Sequence, residues 1–406
     1  MEGDKALNFR IIAKCPKTRA RSSHLTLAAT SPYGTQTLVK TPVFMPVGTN
    51  GTLKGLLPEQ IETCGCNMML SNTYHLASRP GSKIVVAAGG LHKFMNWKNG
   101  LLTDSGGFQM VSLSKLMKLD ENGVIFTSPY DDSVETTLTP EGATAIQHEI
   151  GANIIMQLDD VISSTHSDHD RFVEATHRTI RWYDRCKTQH NGYEAKQNLF
   201  PIVQGGLDPE LRAFCAQEIA ARDPPGIAIG GLSGGECKSD FIKMVACSTE
   251  NLPENKPRYL MGVGFAVDLI LCSALGVDMF DCVYPTRTAR FGCALVGLGI
   301  KINLKWAVFQ NDTSVIEPGC DCYACVNNHK RSMINHLLKK RNTIACHLIS
   351  QHNVRFQMRF MNKIKDAIAS GDLPKLILQT LDQHYKTRED YPDWVLTALE
   401  ILKIEA

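Results

Sequence analysis

Leu101–Phe108 reads LLTDSGGF and Asn153–Asp160 reads NIIMQLDD. In each, a short unbroken apolar run stops abruptly in acidic, amide, serine or glycine residues. A strand covered on both faces needs apolar residues at every position, whereas a half-exposed strand alternates. The same pattern recurs outward from these two stretches: TPVFMPVG from Thr41, NMMLSNTY from Asn67, NLFPIVQGG from Asn198, GIAIGGL from Gly226, RYLMGVG from Arg258 and DMFDCVYPTR from Asp278. Several intervening segments have helical apolar spacing, namely Pro140–Ile150, Asp168–Cys186, Pro209–Ala221 and Lys238–Ser248. Eight such alternations predict an α/β fold, a (β/α)8 TIM barrel with its polar bursts gathered at the C-terminal ends of the strands. A doubly wound open sheet is the competing architecture, but it has no use for polar residues at the end of every strand.

The chain has 406 residues, 43% of them hydrophobic and 21% charged, which excludes a disordered protein and leaves room for a barrel with appendages. Its formal charge of +2 argues against a nucleic-acid partner if taken as a whole-chain property. The charge is uneven, however. Lys301 to Ser370 holds eleven Lys/Arg against four Asp/Glu, a local +7, so the remainder carries −5. No run of about 18 apolar residues occurs, so membrane insertion is not expected. Met1 to Cys15, with Glu2 and Asp4, does not read as a signal peptide. Fourteen scattered cysteines in a chain without secretory features predict a reducing compartment, hence a cytoplasmic protein. The first forty residues predict short antiparallel strands, with a turn at Ser31–Gly34, covering the bottom of the barrel. The expected division is residues 1–300 for the barrel with its N-terminal strands, 301–365 for a basic metal-binding subdomain, and 366–406 for C-terminal helices packing on the barrel.

Cys320, Cys322 and Cys325 form a C-x-C-x2-C cluster, with histidines downstream at 329, 336, 347 and 352. Three thiolates and one imidazole close a tetrahedral zinc site that leaves no position for substrate, so the metal is structural. Spacing alone leaves all four histidines open. Asp104, Asp159, Asp160 and Asp281 lie at predicted strand ends. One such aspartate is commonly a helix cap, but several converging on a barrel mouth suit displacement at an anomeric carbon, one as nucleophile and one as acid/base. The pairs Gly205–Gly206, Gly230–Gly231 and Gly234–Gly235 suit either tight turns or backbone N–H groups lining a pocket. MGVGFA from Met261 lacks the third glycine and the ribose-binding acid of a dinucleotide site. No Ser-His-Asp order, H-E-x-x-H or P-loop is present.

Taken together, TPVFMPVGT, SNTYHL, LLTDSGGFQMVSL, QLDD, VQGG, GGLSGGE, RYLMGVG, MFDCVYPTRTAR and C-D-C-x2-C resemble the tRNA-guanine transglycosylases, in order and over nearly the whole chain. That family is a zinc-containing (β/α)8 barrel exchanging the wobble guanine of tRNAs with G-U-N anticodons for a queuosine-type base. The resemblance implies Asp281 as nucleophile and Asp104 as general acid/base. It implies Asp159, Gln204 and the Gly231 backbone as readers of the base edge, with Phe108 and Met261 stacking on either side and Ser105 and Val161 in the same pocket. Arg287 and Arg290 fall where the family contacts the anticodon loop, and His352 completes the zinc set with Cys320, Cys322 and Cys325. Bacterial members carry Cys where this chain has Val161, a departure shared with the eukaryotic enzymes, whose pocket suits queuine.

The implied partners are tRNA, guanine and queuine, together with a related non-catalytic subunit in a heterodimer, a homodimer being the alternative. The expected location is the cytoplasm, with peripheral association to an organelle membrane through that subunit as the alternative. A catalytically silent RNA-binding subunit is the competing function, opposed by the presence of both Asp104 and Asp281. A barrel hydrolase of free nucleosides is opposed by the basic zinc segment.

Overall fold

The computed structural model describes residues 6–28, 33–34, 36–107, 117–128 and 131–405. Eight parallel strands run in sequence order around a ring: Val43–Pro46, Met68–Asn72, Gly100–Asp104, Ile154–Met156, Asn198–Val203, Ile227–Ile229, Arg258–Leu260 and Met279–Cys282. The fifth is broken at Pro201, which has no N–H to give a ladder, yet its carbonyl still accepts from Ala228 N–H at 2.8 Å. The ring closes because the last strand pairs with the first, from Met279 against Val43 to Cys282 against Pro46, and a parallel bridge joins Val47 to Leu70. The expected barrel is therefore present, one strand for each apolar run.

The unbroken runs follow from the pleat. Met45, Leu70, Leu102, Ile154, Phe200, Ala228 and Met279 fill the barrel interior, while their neighbours Phe44, Met69, Leu101, Ile155, Leu199, Ile227 and Phe280 pack outward under the helices. Both faces are dry, so both are apolar. The helices run over Pro140–Ile150, His169–His190, Pro209–Ala221 and Lys238–Glu250, close to the predicted spans. Thr139, Asp168 and Asp208 cap three of them by accepting backbone N–H bonds.

An antiparallel sheet of Leu7–Lys14, Arg21–Leu27 and Thr37–Thr41 plugs the N-terminal end of the barrel, adding Leu25, Leu27 and Val39 to the interior core. Arg21 fastens it. Its Nε and Nη2 donate to the two oxygens of Asp278 at 3.0 and 2.6 Å, with both side chains buried. The opposite end of the ring is thereby left for chemistry. A second antiparallel sheet, Met117–Leu119, Val124–Ser128 and Asp131–Leu138, is inserted after the third strand and has no counterpart among the expected elements.

Beyond the last strand come a helix, Tyr284–Arg290, and a hairpin of Cys293–Val296 with Ile300–Asn303. Helices follow at Tyr323–Val326, Arg331–Lys339, Thr343–Ser370, Leu373–His384 and Asp393–Leu402. The hairpin spans position 300, and a single helix runs through position 365. Leu304, Ile316, Ile334 and Ile349 form a separate small core beside the barrel. No helix among the described residues is long and apolar enough to cross a membrane.

Candidate active site and metal centre

Strand alternation places Asp281 on the same face as the interior residue Met279, at the mouth of the barrel. Tyr259, from the adjacent strand, donates its hydroxyl to Asp281 Oδ1 at 2.6 Å, and Gly262 N–H donates to the same oxygen at 2.8 Å. Among the described residues no hydrogen bond falls on Oδ2. One carboxylate oxygen is thus held by two donors while the lone pairs of the other stay uncommitted. Burial pushes the Asp281 pKa up, opposed by these two donors. Tyr259 is itself pushed well above the phenol range, by burial and then by the Asp281 charge, so it stays a donor.

Asp104 ends the third strand and is buried. Asn72 Nδ2 donates to its Oδ2 at 3.2 Å, and the orientation of that amide is fixed because Asn72 Oδ1 accepts from His75 N–H to cap the Thr73–Ser78 helix. Asp159 follows the fourth strand and accepts from Gln204 Nε2 at 2.7 Å. Burial first, then the charges of Asp104 and Asp160, push its pKa up to about 7 against the Gln204 bond. The Asp104 charge is felt at both Asp159 and Tyr259, so three carboxylates share one mouth.

Asp160 belongs elsewhere. Its carboxylate takes Arg171 at 2.5 and 2.8 Å and Arg178 at 2.6 Å, with no exposed surface. It ties the strand end to the His169–His190 helix.

Gly231 lies against Gln204 in a left-handed conformation, φ +66°, and any Cβ there would collide with Gln204 Oε1. The left-handed backbone favours glycine, and a side chain here would also displace the Gln204 amide that holds Asp159. Met261 packs against the interior core with its sulfur near Gly230. Ser105 is buried and its Oγ accepts from Gly107 N–H at 3.5 Å. Val161 is half-buried two residues beyond Asp159. Phe108 lies outside the described residues. Arg287 and Arg290 are exposed on the helix after Asp281, and among the described residues neither joins an ion pair.

Asn72, Tyr259 and Glu236 sit in motifs quoted above without an assigned part. Glu236 draws its own loop closed, accepting from Ser233 N–H at 2.5 Å and Gly234 N–H at 2.8 Å, and takes Ser164 Oγ from the neighbouring loop at 2.7 Å. Its signal was present as the acid closing GGLSGGE.

Cys320, Cys322, Cys325 and His352 bring their donor atoms within 4.8 Å of one another, the one such buried group among the described residues. His352 Nδ1 lies 3.7, 3.3 and 3.7 Å from the three sulfurs. Zn–S and Zn–N bonds at a tetrahedral angle require about 3.6 Å between sulfur and nitrogen, so the donor set fits that ion. His352 Nε2 donates to Leu295 carbonyl at 2.7 Å, which leaves Nδ1 bare for a metal. His336 and His347 are exposed, and His329 packs against Tyr323.

Fold and site together define a class: a (β/α)8 barrel enzyme with three carboxylates at its mouth and a metal-binding module on its flank. A family model described as queuine tRNA-ribosyltransferase matches residues 15–386. The queuine tRNA-ribosyltransferase catalytic subunit of Schizosaccharomyces pombe is 47% identical over 407 residues, covering 98% of each chain. That of Caenorhabditis elegans is 47% identical over 408 residues, covering 97% of this chain and 98% of its own. A queuine tRNA-ribosyltransferase from a Thermoanaerobacter species is 44% identical over 386 residues, covering 95% and 100%. The chain belongs to the queuine tRNA-ribosyltransferase family.

Proposed function

We propose that this protein replaces the wobble guanine of G-U-N anticodon tRNAs with queuine through a covalent Asp281–ribosyl intermediate. The observation that carries this reading is Asp281 itself, one oxygen held by Tyr259 and Gly262 and the other unencumbered, in a mouth shared with Asp104 and Asp159. Asp281 Oδ2 attacks the ribose C1′ as the C1′–N9 bond breaks, and Asp104 gives its proton to the departing purine. Queuine then loses its N9 proton to Asp104 and attacks C1′, and the Asp281 ester bond breaks. One glycosidic bond replaces another, so no energy source is needed. Two displacements return the original configuration at the sugar.

Asp159 accepts from the N–H groups on the guanine edge, with Gln204 holding its second oxygen, while Gly231 N–H faces an acceptor of the base and Met261 covers one face. Extracting the base from the anticodon stack costs a few kcal/mol, offset by these contacts. Arg287 and Arg290 take anticodon-loop phosphates beside the nucleophile. The basic segment supports the same docking: Arg331, Arg355 and Arg359 neutralise Asp312, Asp321 and Glu317, which leaves the exposed Lys301, Lys305, Lys339, Lys340 and Arg341 for phosphate. Zn2+, held by the three cysteines and His352, would tie the Cys320–Cys325 segment with its short helix to the long helix, and its role is structural. The eukaryotic relatives are named as catalytic subunits, which supports a heterodimer with a second, related chain.

The test is incubation with a G-U-N tRNA and denaturing electrophoresis. A denaturant-stable protein–RNA adduct is expected in the wild type and none in Asp281→Asn. Base exchange at the wild-type rate by Asp281→Asn refutes the assignment.

A further inference from the structure

Arg212, on the Pro209–Ala221 helix, has no exposed surface and, among the described residues, no carboxylate partner. Its guanidinium binds carbonyls of two glycine loops instead. Nε and Nη2 donate to Gly206 carbonyl at 3.1 and 2.8 Å, and Nη1 donates to Gly230 carbonyl at 3.2 Å, with Ser248 Oγ at the 3.5 Å limit. Burial pulls its pKa down to about 10, so it remains charged at neutral pH. A buried cation with no carboxylate in hydrogen-bond reach, the Glu236 charge acting only through space, is costly, and loop stapling alone could be done by apolar packing.

The bond to Gly230 is the informative one. The Gly230 carbonyl and the Gly231 N–H are the two ends of one peptide unit, and in a trans peptide they point in opposite directions. With the carbonyl on the guanidinium, the N–H is aimed away from the helix. Gly231 borders Gln204, which holds Asp159. Among the described residues this N–H reaches no internal acceptor. A carbonyl bound by a cation also makes its own peptide N–H a stronger donor.

We propose that Arg212 is a positioning residue for base selection: through the Gly230 carbonyl it fixes and polarises the Gly231 N–H that receives the 6-oxo group of the bound purine. Asp159 can only accept and takes the donors on the guanine edge; Gly231 N–H can only donate, and the neighbouring acceptor on that edge is O6. The inference rests on the base-exchange reading above.

Arg212→Met keeps most of the side-chain volume and removes the charge and the fork. Steady-state incorporation of labelled guanine gives KM for base and for tRNA, and inhibition by 2-aminopurine, which lacks O6, gives a second base constant. Expected for Arg212→Met is a guanine KM raised about tenfold, with 2-aminopurine and tRNA constants changed less than about twofold. Equal losses for guanine and 2-aminopurine overturn the proposal, because simple loosening of the pocket weakens both alike. If Arg212→Met fails to fold, Arg212→Lys is assayed the same way; it is expected to show the same selectivity with a smaller factor, and equal factors again overturn the proposal. Absence of guanine incorporation by the wild type would instead defeat the base-exchange reading, so the two failures are distinguishable.

Discussion

Replacing Tyr259 with Phe removes one hydroxyl from a buried ring and with it the 2.6 Å bond to Asp281 Oδ1. The Gly262 N–H bond remains, so the carboxylate keeps its place but loses one of two stabilising donors. A hydrogen bond to a charged group contributes about 1.5–3 kcal/mol, and each pKa unit is about 1.4 kcal/mol. The Asp281 pKa, already raised by burial, should therefore climb by a further one to two units, roughly. In the proposed mechanism Asp281 must be ionised to attack, so the acidic limb of the kcat/KM profile is expected to move to higher pH. At low pH the rate falls by about ten- to a hundredfold, and on the alkaline plateau the loss is smaller. The assay is guanine incorporation across a pH series, with single-turnover adduct formation isolating the first displacement. An acidic limb in Tyr259→Phe that coincides with the wild type would refute the claim that the hydroxyl stabilises the Asp281 carboxylate.

Asp159, with its pKa near 7, must be ionised to accept from guanine, so guanine affinity should weaken as pH falls from 8 to 6. In calorimetric titrations Asp104→Asn should move that limb to lower pH, since a neighbouring negative charge is removed; a limb that stays fixed contradicts the electrostatic coupling. Arg21→Met leaves Asp278 buried with only the Arg258 N–H bond, and urea unfolding should show a loss of about 3–5 kcal/mol with guanine KM unchanged. A loss below 1 kcal/mol would mean the plug is held by its apolar contacts alone. Cys322→Ser should lower bound zinc, read by atomic absorption, and reduce thermal stability. Full metal content in that variant would exclude Cys322 as a ligand.

Much of the barrel is legible in the sequence, because a strand dry on both faces can only be an unbroken apolar run, and eight runs leave little choice of architecture. The cysteine cluster is legible because three thiols within six residues carry their own geometry. What stays hidden depends on partners distant in sequence. Asp159 and Asp160 are chemically identical neighbours, and only the backbone direction and the position of Arg171 and Arg178 send one to the mouth and the other to a helix. Tyr259 reads as one more apolar strand residue until Asp281 is placed beside it. Arg212 reads as an ordinary amphipathic helix residue, since nothing in PELRAFCAQEIAA marks it as buried. The histidine of the Cys3His cluster is legible only through family resemblance, because its ring is oriented by the Leu295 carbonyl on a hairpin more than fifty residues earlier. The inserted sheet after the third strand lacks the dry-run pattern that revealed the others.

The ring is sealed by its last strand meeting its first, and the plug is fastened by Arg21 to Asp278, so both closures join the two ends of the barrel-forming chain. During synthesis more than two hundred residues separate the appearance of Val43 from that of Met279, an interval on the order of tens of seconds at ribosomal speed. Throughout it the nascent chain can form at most an open seven-stranded sheet with two unpaired edges, its plug sheet already made but not yet fastened to Asp278. That is the form in which edge pairing between polysome neighbours is most damaging. The demand this fold places on the cell is therefore temporal: protection is needed until the eighth strand leaves the exit tunnel, and truncations just short of Met279 should be held by chaperones or aggregate, whereas chains extended past Cys282 can close.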